Sequence, residues 1–424
     1  MRTTPPDPPR RRADRHRAPA APLVCALLVL LVIAAALTGC SGSGDPAPAA
    51  PLASPRDVAK ALGQVLDARA RAVRRDEPGL FGRLVAGDAA FRHQQATLFA
   101  DLVQLPIQRL SYRFDPETMV RHGTAYWVTV EESLQLRGYD AAPVVRDDRW
   151  RFRPARRHPD RLVLTSVTAR AWEAAHPVER QPWDLGPIEV REQGPVLGVF
   201  DTGSAADAPG VLDSVARGVA AVAADVPYAW SRSVVVYALS RPAFLDRLDD
   251  VPGDDPEALD AVAFPVGGST RFALNPRMLD RDGADRDRLV RHELTHVALG
   301  TRDDDVPLWL SEGLAEWVSV RPMAPQDRRI PEAAVRAAEA GTPDLPADAD
   351  FNDADSQAHY GLSWWAVEYL ADTYGRGEPW HLLDAMAQPG ADPEQVLEDR
   401  YGLTTRALAR HADHQILALY EGVS

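Results

Sequence analysis

The run Leu289-Val290-Arg291-His292-Glu293-Leu294-Thr295-His296-Val297-Ala298-Leu299-Gly300 organises the reading of this 424-residue chain. Its apolar residues recur at helical spacing, and Gly300 marks a C-terminal stop. On a helix, His292 and His296 are four residues apart and share one face, so both imidazoles reach one ion. Glu293 leaves the helix at a different angle, where it meets water instead of metal. The following segment, Pro307-Leu308-Trp309-Leu310-Ser311-Glu312-Gly313-Leu314-Ala315-Glu316-Trp317, supplies a third donor. Hydrolytic zinc commonly takes three protein ligands and keeps one position open, so His292, His296 and Glu312 predict one Zn2+ per chain. Glu316, one turn beyond Glu312, reads either as a solvated carboxylate or as the acceptor of a ligand histidine's free N–H.

These motifs resemble the gluzincins, H-E-x-x-H zinc peptidases whose third ligand is a glutamate on a following helix. Residues 309–315 are similar to the Trp-Leu-Asn-Glu-Gly-Phe-Ala run of the aminopeptidase branch. The resemblance implies His292, His296 and Glu312 as ligands and Glu293 as the general base. The step from His296 to Glu312 is shorter than in that branch, which puts Arg302-Asp303-Asp304-Asp305 in a trimmed connection. Downstream, His359-Tyr360-Gly361-Leu362-Ser363 resembles the branch's Tyr-x-x-Gly run, whose tyrosine donates to the oxyanion. Tyr360 matches that tyrosine, His359 is a competing donor, and Ser363 stands where glycine is usual. The resemblance also implies a small sheet whose edge strand pairs with extended substrate. Residues 269–274, after the Gly267-Gly268 turn, are expected to be that edge. No Gly-Ala-Met-Glu-Asn-type run is present, which favours an endopeptidase or another amide hydrolase over an aminopeptidase.

Working outward, residues 196–200 and 233–239 read as strands, with a helix between them at 211–224. From residue 286 onward the pattern is almost entirely helical, with breaks near 341–346 and at Gly390. Residues 177–187 are a Pro-rich junction. Before it, helical stripes at 57–75 and around Phe91, Leu98, Phe99 and Leu102 precede strand-like stretches at 124–130, 150–152 and 161–167. Helices followed by antiparallel strands predict an α+β roll over 56–176, similar to nuclear-transport-factor-like or cystatin-like rolls. His158 falls in a loop with no partner at ligand spacing. The expected organisation is therefore α+β: this roll, then a metallopeptidase domain over 185–424 with a small mixed sheet and a largely helical C-terminal part.

At the N-terminus, residues 1–22 are polar with six arginines, and 23–37 are an unbroken apolar run. The run is short for a bilayer span and suits a signal-peptide core. It ends in Leu37-Thr38-Gly39-Cys40, which resembles a bacterial lipobox. Residues 1–39 are then a lipoprotein signal peptide, Cys40 the lipidation site and 40–55 a disordered tether. The expected partners are a membrane, reached through that lipid at the extracytoplasmic face, and a peptide or protein substrate. Removing 1–39 would also leave the chain more acidic than its net charge of −14. That balance argues against nucleic-acid binding, which needs a basic face. Of the two cysteines, Cys25 lies in the signal segment, so neither remains for disulfides or metal.

Two rival readings remain. Val199-Phe200-Asp201-Thr202-Gly203-Ser204 looks like an aspartic-protease loop, but that chemistry needs two carboxylates sharing a proton and only one such motif occurs. The other is a tethered binding module that keeps zinc without catalysis.

Overall fold

The computed structural model describes residues 52, 54–248, 259–266, 268–281 and 283–420. The expected signal segment, Cys40 and the tether through residue 51 lie outside these, as does Gly267 of the expected turn. The first element is helix α1 (Pro55–Arg74), opened by a reciprocal cap in which Ser54 Oγ accepts from the Asp57 amide and Asp57 accepts from the Ser54 amide. Its buried stripe of Val58, Leu62, Val65 and Leu66 repeats at helical spacing. Helices α2 (Pro78–Arg83) and α3 (Ala89–Leu102) follow.

Strands β1 (Ile107–Phe114), β2 (Val120–His122), β3 (Ala125–Leu136), β4 (Val144–Pro154) and β5 (Leu162–Ser166) form a curled antiparallel sheet in the order β1-β3-β4-β5, with β2 paired to β3. Alternation sets its faces: Tyr112, Tyr126, Val128, Trp150 and Phe152 are buried with α1, while their neighbours point outward. The strands expected at 124–130, 150–152 and 161–167 overlap β3, β4 and β5. Strand β1 was not anticipated, because Arg109 and Arg113 dilute its apolar signal. Exposed His158 sits in the loop between β4 and β5.

Short helices α4 (Arg170–Glu173) and α5 (Pro182–Leu185) cross the Pro-rich junction. Beyond it, β6 (Ile188–Gln193), β7 (Val196–Asp201), helix α6 (Ala208–Asp225), β8 (Val234–Ala238), β9 (Ala261–Val266) and β10 (Ser269–Leu274) build a mixed sheet in the order β6-β7-β8-β10-β9. The pairs β7–β8 and β8–β10 are parallel, and the outer pairs are antiparallel. This corrects the expected edge: residues 269–274 are β10, an interior strand, and β9 is the edge on that side, with β6 at the other. Pro265 in β9 is the physical mark of that edge, since proline cannot donate into a ladder on both sides.

The rest is helical, as expected: α7 (Gly283–Leu299), α8 (Leu308–Val320), α9 (Glu332–Ala340), α10 (Ser356–Tyr374), α11 (Glu378–Met386), α12 (Pro393–Tyr401) and α13 (Thr405–Tyr420). The architecture is α+β. The mixed sheet is buried on both faces. Phe200, Val236 and Phe272 face the core built by α6, α7, α8 and α10, whereas Val199, Tyr237 and Ala273 face the core shared with the roll. Among the described residues, no helix is long and apolar enough to cross a membrane.

Two glycines set the positions of α7 and α8. A Cβ on Gly218 of α6 would lie 2.8 Å from side-chain atoms of both Val290 and Leu294, so its absence lets α7 seat against α6. A Cβ on Gly313 of α8 would lie 2.6 Å from the backbone oxygen of Ser363, so α8 and α10 approach closely beside Glu312.

Candidate metal centre

Helix α7 carries His292 and His296 on one face, and α8 crosses it to bring Glu312 opposite. Ligand atoms of the three residues lie within 4.8 Å of one another and could hold a metal ion. Glu312 Oε2 is 3.1 Å from Nε2 of His292 and 3.4 Å from Nε2 of His296. The two Nε2 atoms are themselves 3.2 Å apart. The other nitrogen of each ring faces a carboxylate: His292 Nδ1 lies 3.2 Å from Glu316 Oε1, and His296 Nδ1 lies 2.7 Å from Asp303 Oδ2.

This arrangement tests whether the residues suit a cation. His296 Nδ1 is hydrogen-bonded to Asp303, whereas His292 Nδ1 is 3.2 Å from Glu316 without an aligned hydrogen bond; with the ring protons on Nδ1, both Nε2 lone pairs face Glu312 Oε2. Glu312 Oε2 is buried and makes no hydrogen bond. Three acceptors converging without a donor repel one another unless protons or a cation sit among them, so the donor set fits a metal cation. The protonation tendencies of the bare site show the same need. Burial works against a charged His292 ring, but Glu312 and Glu316 outweigh it and raise its pKa to about 10. His296 is likewise raised, against burial, by Asp303 and Glu312. Burial would raise both glutamates, yet the histidines hold Glu312 well below the usual range, and His292 with Arg288 brings Glu316 down to about 2.

The structure brings most of the sequence-derived site residues together. Glu293 is buried, and burial is the main cause holding its carboxyl above its ordinary pKa, while His292, His296 and the Ala263 backbone on β9 pull the other way. His292, Glu293, Glu316 and Tyr360 line one cavity of about 480 Å³, with Asp260 and Ala261 at the start of β9. The Tyr360 ring is 6.1 Å from that of His292 and is held by an edge contact to Phe351 at 5.1 Å. Burial, then Glu312, Glu293 and Glu316, raise its phenol well above the ordinary value, so it stays a hydrogen-bond donor. His359 does not join this group: its Nδ1 faces the Phe351 carbonyl at 2.9 Å, and it does not line the cavity. Ser363 is fully buried where α10 meets α8, away from the cavity lining.

Three supporting residues, Asp303, Ser311 and Arg288, were missed from sequence. Asp303 faces His296, and its other oxygen accepts the Ser311 hydroxyl at 2.6 Å. Arg288 donates to Glu316 Oε2 at 2.6 Å and to the Arg329 carbonyl at 2.8 Å. The signal for Arg288 was present, since it lies one turn before His292 on the same helical face. Asp303 sits in a run of three aspartates, and spacing alone does not say which one turns inward.

The rival Asp201 caps a turn. Its Oδ1 accepts from the Gly203 and Ser204 amides, and its Oδ2 accepts the Ser240 amide and hydroxyl. Burial would raise its pKa, but these bonds outweigh it and lower it. No second carboxylate lines the cavity beside it among the described residues. No family model matches this chain, and no curated protein matches it.

Proposed function

We propose that this protein is a membrane-anchored, extracytoplasmic zinc metallopeptidase that hydrolyses peptide bonds with Glu293 as general base. One observation carries the reading: a His292–His296–Glu312 cluster that could hold a metal ion meets, through His292, a cavity also lined by a buried carboxylate, Glu293, and a phenol, Tyr360. A purely structural site has no use for the last two. Zinc bound there supplies Lewis acidity to water and to a scissile carbonyl. Glu293 takes a proton from the attacking water and returns it to the leaving amine, a task for which its raised pKa suits it. Tyr360 donates to the developing oxyanion. Glu316 and Asp303 hold the ligand imidazoles with Nε2 free for metal. Edge strand β9, whose first residue lines the cavity, offers backbone groups to an extended substrate.

Cleavage profiling of a peptide library with wild type and Glu293→Gln tests this. Cleavage by wild type and none by the variant supports it. One zinc per chain with no cleavage by either would favour a tethered zinc-containing binding module.

A further inference from the structure

The outer face of the roll's sheet is charged in the opposite sense to the chain as a whole. Residues 107–166 hold eleven arginines against eight carboxylates, in a protein of net charge −14. Three of those carboxylates, Glu132, Asp140 and Asp148, are turned inward and taken up by Arg146, Arg271 and Arg180. What reaches solvent is therefore more basic than the count. Strand alternation puts Arg149, Arg151 and Arg153 of β4 on the outer face, beside Trp127 of β3. At the end of β4, Arg153 joins Arg92 and Arg156 around a cavity of about 600 Å³ that no carboxylate lines.

None of these five arginines forms an ion pair with a described residue. The bonds they do make are to neutral groups: Arg92 to the Gly87 carbonyl, Arg149 to Thr129 and Arg151 to Thr165. The patch also carries apolar groups. The Arg151 guanidinium lies 5.5 Å from the Trp127 ring, and Val120, paired with Trp127 across the strands, is 44% exposed. On the strands, the outward carboxylates Glu131 and Asp147 are opposite each other and Arg113, farther along the sheet, while Asp115 and Glu117 lie in the turn before β2.

Guanidinium groups without counter-ions, an interfacial tryptophan and an exposed valine match a surface that is anionic and apolar a few ångströms below. We propose that this face docks on an anionic phospholipid surface, with headgroup phosphate in the Arg92–Arg153–Arg156 cavity and Trp127 and Val120 at the acyl boundary. The inference rests on the membrane-anchored reading for its setting. Helix α1 starts 15 residues after Cys40, the expected lipidation site, a segment that reaches at most about 50 Å. The roll is thus within reach of the bilayer. The metal centre belongs to the layer across the mixed sheet, so docking leaves its cavity open.

The test is arginine-selective chemical modification of the full-length protein, read by mass spectrometry on phosphatidylcholine vesicles with and without phosphatidylglycerol. The proposal expects Arg149, Arg151 and Arg153 to react about tenfold more slowly on the anionic vesicles, with the protection lost at high salt. Amide exchange over β2 should slow in parallel, and the Arg149→Ser/Arg151→Ser/Arg153→Ser variant should lose that slowing while binding zinc normally. Equal reactivity on both vesicles overturns docking yet leaves anchorage and peptidase activity standing. Failure to associate with anionic vesicles overturns it too. So does protection by soluble polyphosphate with none on vesicles, which would mark a site for free anions.

Discussion

Asp303 Oδ2 lies 2.7 Å from Nδ1 of His296, and the Ser311 hydroxyl holds the other oxygen of the same carboxylate at 2.6 Å. On the other ligand, Glu316 faces His292 and is held by Arg288. Each imidazole of the possible metal-binding group thus has its own anchored carboxylate nearby, placed to bias its tautomer and orientation. Asp303→Ala and Glu316→Ala should each weaken zinc binding about 10–100-fold in chelator competition, with helical content retained. Unchanged affinity in both would mean that these carboxylates do not orient the ligands.

Gly313 makes a second prediction on the same helix. Gly313→Ala puts a Cβ 2.6 Å from a backbone oxygen of α10, which cannot yield as a side chain would. The variant should lose about 1–3 kcal/mol of stability, and zinc affinity should fall as α8 shifts Glu312. Gly63→Ala in α1 is the control. Nothing lies within 4 Å of its added Cβ, so it should stabilise by about 0.5–1 kcal/mol. Thermal unfolding of the pair checks both.

The grouping of His292 with His296, and of Glu293 beside them, was legible in the sequence because helical periodicity fixes which side chains share a face. His292 and His296 need no partner element to be placed relative to each other. Glu312 needed one, and the resemblance of the Trp-Leu-Ser-Glu-Gly segment supplied it. Residues whose roles depend on distant chain were not legible. Arg271 reads as an outward strand arginine, yet it is 1% exposed, because Asp140, far away in sequence, turns in to meet it. The edge strand was misplaced for the same reason. Pairing β10 with β8 is a long-range event that no local pattern announces, although Pro265 in β9 was a usable sign.

That buried pair yields a third prediction. Arg271 donates to Asp140 Oδ1 at 2.7 Å and to the Tyr237 hydroxyl, between the roll and the mixed sheet. Asp140→Ala leaves a guanidinium buried without its counter-ion and should cost about 3–5 kcal/mol. Denaturant unfolding should show this as a lower midpoint. A loss below about 1 kcal/mol would mean that water reaches Arg271.

Asp101 sets a pH dependence. It is 2% exposed, accepts the Ile188 amide at 3.1 Å and leaves its Oδ2 unpaired. Burial, aided by the Asp184 charge, outweighs the Ile188 hydrogen bond and raises its pKa to about 6. A folded-state pKa above the unfolded value favours the neutral acid. Its contribution is complete below about pH 4 and is lost as pH rises through 6. Asp101→Asn should remove this loss, worth on the order of 2 kcal/mol, and flatten the stability profile between those limits. A slope identical to wild type would contradict the assignment.

The central claim is that His292, His296 and Glu312 hold a zinc ion on which Glu293 acts without binding it. Zinc content and peptide cleavage, measured on the same samples of wild type, Glu293→Gln, His296→Ala and Asp201→Asn, test it most directly. The account predicts one zinc per chain in wild type, Glu293→Gln and Asp201→Asn, and little in His296→Ala. Cleavage should persist in wild type and Asp201→Asn, be lost in His296→Ala, and be slower by at least about 100-fold in Glu293→Gln. Cleavage that survives Glu293→Gln but is lost in Asp201→Asn would contradict it.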